Sequence, residues 1–523
     1  MSSIVKRCLF SGIGTGSMLC ALALTACQLP TPGPRTDSTA LSLTQARATP
    51  LGVAIENAIA THPGLSGIDP LASPLDAFAA RVDLVRAAQR TLDVQYYIWR
   101  NDLTGTLLLE ALREAADRGV RVRLLLDDNG IPSSLDATLA ALDAHPNIQV
   151  RLFNPFAIRS PKSIGFLYDF SRLNRRMHNK SLTADSMATI LGGRNIGDEY
   201  FGATDGVVFA DLDVLAIGPA ASDVAHDFDR YWSSASAWPA HEILPAPQPA
   251  QLDSLDRAAQ AVQTNPAAKA FIAALQEQTD VRRLLDGTLP LEWAPTRLVS
   301  DDPAKAKGKA APESLVLNQL RDILGEPKRE IDLVSPYFVP GELSTQYFTQ
   351  LAANGVTVRV LTNSLEATDV LPVHAGYARR RKALLSGGVE LFELRRAAGT
   401  SANKEQAPGV FGSSGSSLHA KTFAVDDRRV FVGSLNFDPR SANLNTELGL
   451  VIESPVLAGR IESAFWTQVP KLAWQAKLDP DGSLYWTRET ADGTMRYDTE
   501  PNSRWSTRLA VWFFSILPIE WLL

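Results

Sequence analysis

Two stretches of this 523-residue chain repeat one pattern of apolar and polar positions. Thr91-Leu-Asp-Val-Gln-Tyr-Tyr-Ile-Trp99 is a strand-like run of β-branched and aromatic residues, followed by a helical stretch from Gly105 to Gly119 and an apolar run, Val120-Arg-Val-Arg-Leu-Leu-Leu126. The theme returns in Ile331-Asp-Leu-Val-Ser-Pro-Tyr-Phe-Val339, a helix closing near Asn354-Gly355, and Val356-Thr-Val-Arg-Val-Leu361. Strand, helix, strand predicts an α/β unit in each half.

A second repeat carries chemistry. His178-Asn179-Lys180 with Asp185, and His419-Ala420-Lys421 with Asp426, place histidine, lysine and aspartate in the same order and spacing. The first copy is followed by Gly192-Gly193-Arg194-Asn195-Ile196-Gly197-Asp198, the second by Gly433-Ser434-Leu435-Asn436-Phe437-Asp438. The histidines lie 241 residues apart and the corresponding glycines, Gly119 and Gly355, 236 apart, so one internal duplication accounts for both repeats. Histidine and lysine two positions apart point to one face of a strand; in Leu418–Val425 the alternation sets His419, Lys421, Phe423 and Val425 against Leu418, Ala420, Thr422 and Ala424. Two half-sites then build one composite site.

The duplicated His-x-Lys-x4-Asp motif with its Gly-Gly/Ser-x-Asn tail resembles the phospholipase D superfamily. The run from His178 through Gly-Gly-Arg-Asn-Ile-Gly-Asp-Glu-Tyr-Phe201, with the closing Leu517-Pro-Ile-Glu520, is similar more narrowly to bacterial cardiolipin synthases of the third type, over roughly residues 75 to 523. The resemblance implies an α/β fold of two tandem phospholipase D-like α/β/α domains around a pseudo-twofold active site. It implies His178 as nucleophile and His419 as general acid, then general base, through a phosphohistidine. Lys180 and Lys421 would hold the nonbridging phosphate oxygens, and Asn195 and Asn436 would add amide donors. Asp185 and Asp426 would support the site. Glu447 is a candidate carboxylate for orienting a histidine, with Glu199 as its counterpart in the first half. None of these roles requires a metal or another cofactor.

The expected domain plan is a lipoprotein-type signal peptide over 1–26, a tether and N-terminal helical segment over 27–75, a first phospholipase D-like domain over 76–255, a helical connector and exposed loop over 256–315, a second domain over 316–495, and a hydrophobic C-terminal segment over 496–523. Lys6 and Arg7 precede an apolar run too short for a permanent span, and Leu24-Thr-Ala-Cys27 resembles a box in which Cys27 is lipidated. The other two cysteines, Cys8 and Cys20, lie upstream, so a cleaved chain has no disulfide and no cysteine-ligated zinc. These features place the protein in the bacterial cell envelope, membrane-anchored and facing the periplasm. Gln28 leans toward the outer membrane, and both membranes stay open. Ala304–Pro312, with three lysines, reads as an exposed loop. Trp505–Leu517 reads as an interfacial helix, with docking in the protein as the alternative.

Cleavage would remove Lys6 and Arg7 and take the formal charge from -6 to -8, which argues against a nucleic-acid partner. His226 reads as a structural histidine of a helix, whereas the resemblance implies that the region beyond the second strand borders the substrate pocket, which makes Asp369, His374 and Tyr377 candidates for headgroup contact. The resulting expectation is a transferase that moves a phosphatidyl group from phosphatidylethanolamine, or from phosphatidylglycerol, to phosphatidylglycerol within a phospholipid membrane. It needs no nucleotide, in keeping with the missing Gly-x4-Gly-Lys-Ser/Thr loop. A phospholipase D hydrolase, a nuclease and a non-catalytic lipid-binding protein are the alternatives, and participation of a small protein partner stays open.

Overall fold

The computed structural model describes residues 29–30, 33, 37–204, 208–248, 250–278, 280–396, 416–490 and 493–523. The expected signal peptide and Cys27 lie outside the described residues. Two sheets carry the fold. In the first, the strands run in the order Glu292–Ala294, Ser66–Leu71, Asp213–Ile217, Ala188–Gly192, Ser181–Ala184, Thr91–Ile98, Arg121–Gly130, Ile148–Phe153, Ala237–Pro239. In the second, the order is Thr296–Ser300, Leu448–Ile452, Arg429–Gly433, Thr422–Val425, Glu330–Val334, Thr357–Asn363, Glu390–Leu394, then Ala473–Leu478, Leu484–Thr490 and Gly493–Tyr497. The six central strands correspond one to one. Three of each set are parallel, joined by crossover helices, and the remaining three are antiparallel.

The expected strand and helix over 91–119 are found as Thr91–Ile98 and Leu103–Asp117, the helix capped by Asp102, whose carboxylate accepts the Gly105 N–H at 3.0 Å. The first sheet reaches into the segment read as a tether: Ser66–Leu71 is one of its strands, although Gly67 and Pro70 break any alternating pattern. Ala304–Pro312 is exposed at Lys307, Gly308, Lys309, Ala311 and Pro312, as its composition suggests, but its start is not. Lys305 is buried, with its ammonium donating to Asp301 at 2.8 Å and to the Ser441 carbonyl at 2.8 Å. A charged residue goes inside when it is paired, which composition alone does not reveal.

The C-terminal segment forms the helix Trp505–Ile516. Val511 and Phe514 pack with Leu365, Leu371, Ala375 and Ala378, while Trp505, Trp512 and Phe513 are exposed. Arg380 pairs with Glu520 at 3.0 Å, and the Arg440 N–H donates to the Leu523 carbonyl at 2.7 Å. Among the described residues no helix is long and apolar enough to cross a membrane. The expected membrane-anchored, periplasm-facing location is corrected to that extent: no described helix spans a membrane, and the apolar C-terminal segment is a short helix held on the protein by packing and ion pairs.

The motif aspartates have a structural position. Asp185 closes the turn after Ser181–Ala184 with φ 50°, and its carboxylate accepts from the Gln89, Arg90 and Thr91 N–H groups at 2.8–3.0 Å. Asp426, φ 54°, likewise accepts from Lys328, Arg329 and Glu330. Aspartate tolerates the left-handed conformation, and its short side chain satisfies the entry of the neighbouring strand. Neither carboxylate contacts a motif histidine; each pins the far end of the strand that follows one. Asp185→Ala is expected to lower stability by about 2 kcal/mol, since hydrogen bonds to a charged acceptor are lost and an alanine is forced to positive φ. The urea midpoint would fall while turnover per folded molecule stays near wild type.

Candidate active site

Each histidine lies just outside the strand expected to carry it. His178 and Lys180 precede Ser181–Ala184, and His419 and Lys421 occupy a break between Ser416–Leu418 and Thr422–Val425. The break lets each segment dock on the opposite half. The His178 N–H donates to the Thr446 carbonyl at 2.9 Å, and the His419 N–H to the Ala210 carbonyl at 2.8 Å. Those acceptors immediately precede two acids, Glu447 and Asp211.

The acids and rings pair crosswise. His178 Nδ1 lies 2.8 Å from Glu447 Oε2, and His419 Nδ1 lies 2.6 Å from Asp211 Oδ2. A carboxylate at Nδ1 fixes that nitrogen as the protonated one and leaves Nε2 free to act. Glu447 was anticipated from the sequence. Its expected counterpart, Glu199, instead pairs with Arg100 at 3.2 Å, and Asp211 holds the equivalent place. The available signal was positional: Asp211-Leu-Asp-Val and Glu447-Leu-Gly-Leu open corresponding strands, with Asp213 registered to Gly192 and Gly449 to Gly433.

The two tails differ because the acids do. Glu447 accepts from the hydroxyls of Ser434 at 2.5 Å and Ser441 at 2.8 Å, and its backbone N–H donates to Asp301. In the first half Gly193 stands where Ser434 does, and a Cβ there would meet Asp211 Oδ1 at 2.0 Å. The Gly-Gly and Gly-Ser forms therefore match a close aspartate and a longer glutamate. Arg194 is fully buried and donates to the Asp211 carbonyl at 2.7 Å, while Asp127 holds Arg176 and the Met177 N–H just before His178.

The lysines sit against the rings. Lys180 donates to the His178 carbonyl at 2.5 Å and Lys421 to the His419 carbonyl. Lys421 also lies 2.7 Å from His419 Nδ1, a contact of charge with ring, because that nitrogen gives its proton to Asp211. Tyr97 meets His178 edge-on at 5.0 Å and Tyr200 meets His419 at 5.1 Å. Asn195 does not face the lysines: its oxygen accepts the Ile98 N–H and its amide donates to the Tyr200 hydroxyl at 3.0 Å. Asn436, also buried, keeps its carboxamide oxygen without a hydrogen bond. Of the other candidates, His226 is bound to the Ser222 carbonyl of its own helix, and His374 and Tyr377 are sealed among Arg381, Glu393 and Glu500. Asp369 is exposed.

Burial pushes both imidazoles down to about 4, with Glu447 opposing this at His178, and with Lys421 adding to it and Asp211 opposing it at His419. Burial also holds Lys180 well below its usual range and brings Lys421 down to about 8. Burial resists ionisation of Glu447, but His178 and Lys180 outweigh it and keep the carboxyl below its usual value. Each ring acts on the opposite half's lysine, so the four groups form one electrostatic unit. Such a unit can bind a phosphodiester between ammonium groups and offer it two imidazole nitrogens.

An α/β tandem in which each half completes the other's histidine defines a phospholipase D-type protein. A family model described as "Cardiolipin synthase, PLD-like domain" matches residues 82–232 and 320–469, and the chain belongs to that family. It is 50% identical over 462 residues to cardiolipin synthase C of Escherichia coli K12, covering 88% of this chain and 97% of the relative. It is 33% identical over 431 residues to an uncharacterized protein of Helicobacter pylori strain 26695, covering 79% and 81%. The crystal structure of phosphatidylserine synthase from Haemophilus influenzae Rd KW20 is similar with a TM-score of 0.56 at 14% identity, over 90% of this chain and 99% of that one, a likeness of fold.

Removing the charge opposite one ring should be costly even though the residue lies in neither motif. Asp211→Asn is expected to lower turnover about 100-fold or more with the thermal midpoint little changed, because neutral asparagine holds the ring without stabilising an imidazolium. Steady-state kinetics beside a melting curve would check this.

Proposed function

We propose that this chain transfers a phosphatidyl group between alcohols through a phosphohistidine, and that the crossed histidine–carboxylate pairs carry the chemistry. The activity is that of a phosphatidyltransferase of the cardiolipin synthase type, acting on phospholipids. In the proposed first step His178 Nε2 attacks phosphorus, the bond from phosphorus to the headgroup oxygen breaks, and His419 Nε2 gives that oxygen a proton. In the second, His419 takes the proton of a phosphatidylglycerol hydroxyl, the resulting oxygen attacks phosphorus and the P–N bond breaks. Lys180 and Lys421 hold the nonbridging oxygens throughout.

What supports this reading is that both Nδ1 atoms are tied to carboxylates, which leaves the Nε2 atoms for chemistry, that of His419 lying 3.2 Å from the Lys421 ammonium that would hold the phosphate. A cavity of about 340 Å³ beside Asn436, lined by Leu317, Val339, Leu343 and Phe437, offers the apolar surface an acyl-bearing substrate needs. Phosphatidylglycerol is the proposed acceptor, and phosphatidylethanolamine or a second phosphatidylglycerol the donor.

The test is product identity by mass spectrometry with purified protein and vesicles of labelled phosphatidylethanolamine and phosphatidylglycerol. Labelled cardiolipin is expected, whereas phosphatidic acid alone would make the protein a hydrolase. His178→Ala and His419→Ala should each reduce cardiolipin formation by at least about 1,000-fold; full turnover in either would sink the two-histidine mechanism. The pH profile follows from the same groups. An imidazole lowered to about 4 is neutral above that pH, so kcat/KM should persist on the acid side until His178 protonates near 4. On the alkaline side it should decline from about 4 upward as the protonated form of His419, the acid of the first step, is depleted, and fall further once Lys421 loses its proton near 8. An acid limb at the free imidazole value near 6.5 would contradict this.

A further inference from the structure

The acid that orients His178 leans on a very short helix. Asp438 caps Pro439–Asn443 by accepting the Ser441 N–H at 2.6 Å, and the Ser441 hydroxyl donates to Glu447 Oε1 at 2.8 Å. A helix of little more than one turn has no stability of its own, so contacts from outside must fix its place.

Arg440 of that helix makes them in two directions. Toward the first half, Nη1 and Nη2 both donate to Asn174 Oδ1 at 2.8 Å, and Nη2 donates to the Asn174 carbonyl at 3.2 Å. Asn174 is buried, four residues before His178, in a run that is itself held: the Arg175 carbonyl accepts from Asn154 at 2.7 Å, and Arg176 pairs with Asp127 at 2.7 Å. Toward the C-terminal segment, the Arg440 N–H donates to the Leu523 carbonyl at 2.7 Å and Nη1 to the Leu522 carbonyl at 3.4 Å. Glu520 is locked in turn by Arg380 at 3.0 Å and Arg379 at 3.6 Å, and Leu523 packs so closely that a Cβ on Gly376 would meet its Cδ1 at 3.0 Å. The first half lacks this arrangement. Counted from Asn195 and Asn436, Glu199 stands where Arg440 does, and it pairs with Arg100. Two donors on one amide oxygen require the planar fork of arginine, which lysine does not reproduce.

We propose that Arg440 is a positioning residue for phosphatidyl transfer: gripping Asn174 on one side and the segment Glu520–Leu523 on the other, it sets the His178 segment against the helix that holds Glu447. The C-terminal segment thereby serves the nucleophile from outside both motifs. The inference rests on the phosphatidyl-transfer reading. An ångström of slack between reacting groups is enough to cost about 100-fold in rate.

Two measurements on the full-length protein test it, each beside a melting curve so that rates refer to folded molecules. In steady-state cardiolipin formation, Arg440→Ala should lower kcat about 30-fold, and Arg440→Lys and Asn174→Ala about tenfold, with KM within twofold of wild type. The double variant Arg440→Ala/Asn174→Ala should be no slower than Arg440→Ala, because both changes remove one contact. Glu520→Lys, which sets a third cation against Arg379 and Arg380, should cost about tenfold. NMR titration of labelled histidine reads position without turnover. Burial holds His178 at about 4, so loosening its segment should move it up toward 6.5, while His419, whose acid is tied by Arg194, stays in place. Arg440→Lys keeps the charge, so movement there reads position alone, and it carries the test if the alanine variant does not fold. Wild-type turnover in Arg440→Lys, Asn174→Ala or Glu520→Lys, or equal movement of both histidines, would overturn the proposal. A protein that makes no cardiolipin, in which Arg440→Lys still moves His178 alone, would uphold the positioning and defeat the transfer reading instead.

Discussion

The crossing of carboxylate and imidazole between halves is the constraint on which the rest of the site depends. His178 belongs to the first repeat and is oriented by Glu447 of the second; His419 belongs to the second and is oriented by Asp211 of the first. Each histidine segment also hangs its backbone on the residue preceding the opposite acid. Neither half alone can fix the tautomer of its own histidine. Removing a carboxylate from water costs several kcal/mol, and each acid is ionised only because a ring, a lysine and local donors lie against it. Interface and site are therefore the same object, and loosening one loosens the other.

A second layer holds those acids in place with buried charge. Asp301 accepts the Glu447 N–H and is itself paired with Lys305, from the segment whose composition reads as a solvated loop. Arg194 bonds the carbonyls of Leu71, Ala72 and Asp211 and the Asp213 carboxylate, tying the N-terminal strand Ser66–Leu71 to the acid that orients His419. The invariance of scaffold between halves thus stops at this layer: a lysine–aspartate pair does on one side what an arginine does on the other.

The α/β class, the duplication and the composite character of the site were legible because they rest on local patterns: strand runs, helix caps and a motif written twice. What was not legible depends on pairing between distant segments. Asp211 sits in no motif and differs from Glu447 by a methylene, so only strand register equates them. Asp185 and Asp426 share the histidines' motif but not their location, because the strand that follows each histidine carries the aspartate to its far end. The position of Asn195 in the tail implies an oxygen-binding amide, yet its two polar atoms bond Ile98 and Tyr200. Spacing names a residue's neighbours along the chain; register decides its partner.

Charge balance explains how two depressed imidazoles suit a reaction that needs one of them protonated. The Asp211 and Glu447 carboxylates face the Lys180 and Lys421 ammonium groups, and burial disfavours the charged form of both rings. That set is close to electroneutral before substrate enters. A phosphodiester adds one negative charge to a low-dielectric pocket, which favours proton uptake by one ring and restores the lysine ammonium groups toward their usual strength. The substrate therefore creates the acid that will cleave it, while the other ring stays neutral and nucleophilic. Two half-sites of one plan thus take unlike protonation states, and the roles of the rings follow from which of them the bound headgroup oxygen approaches.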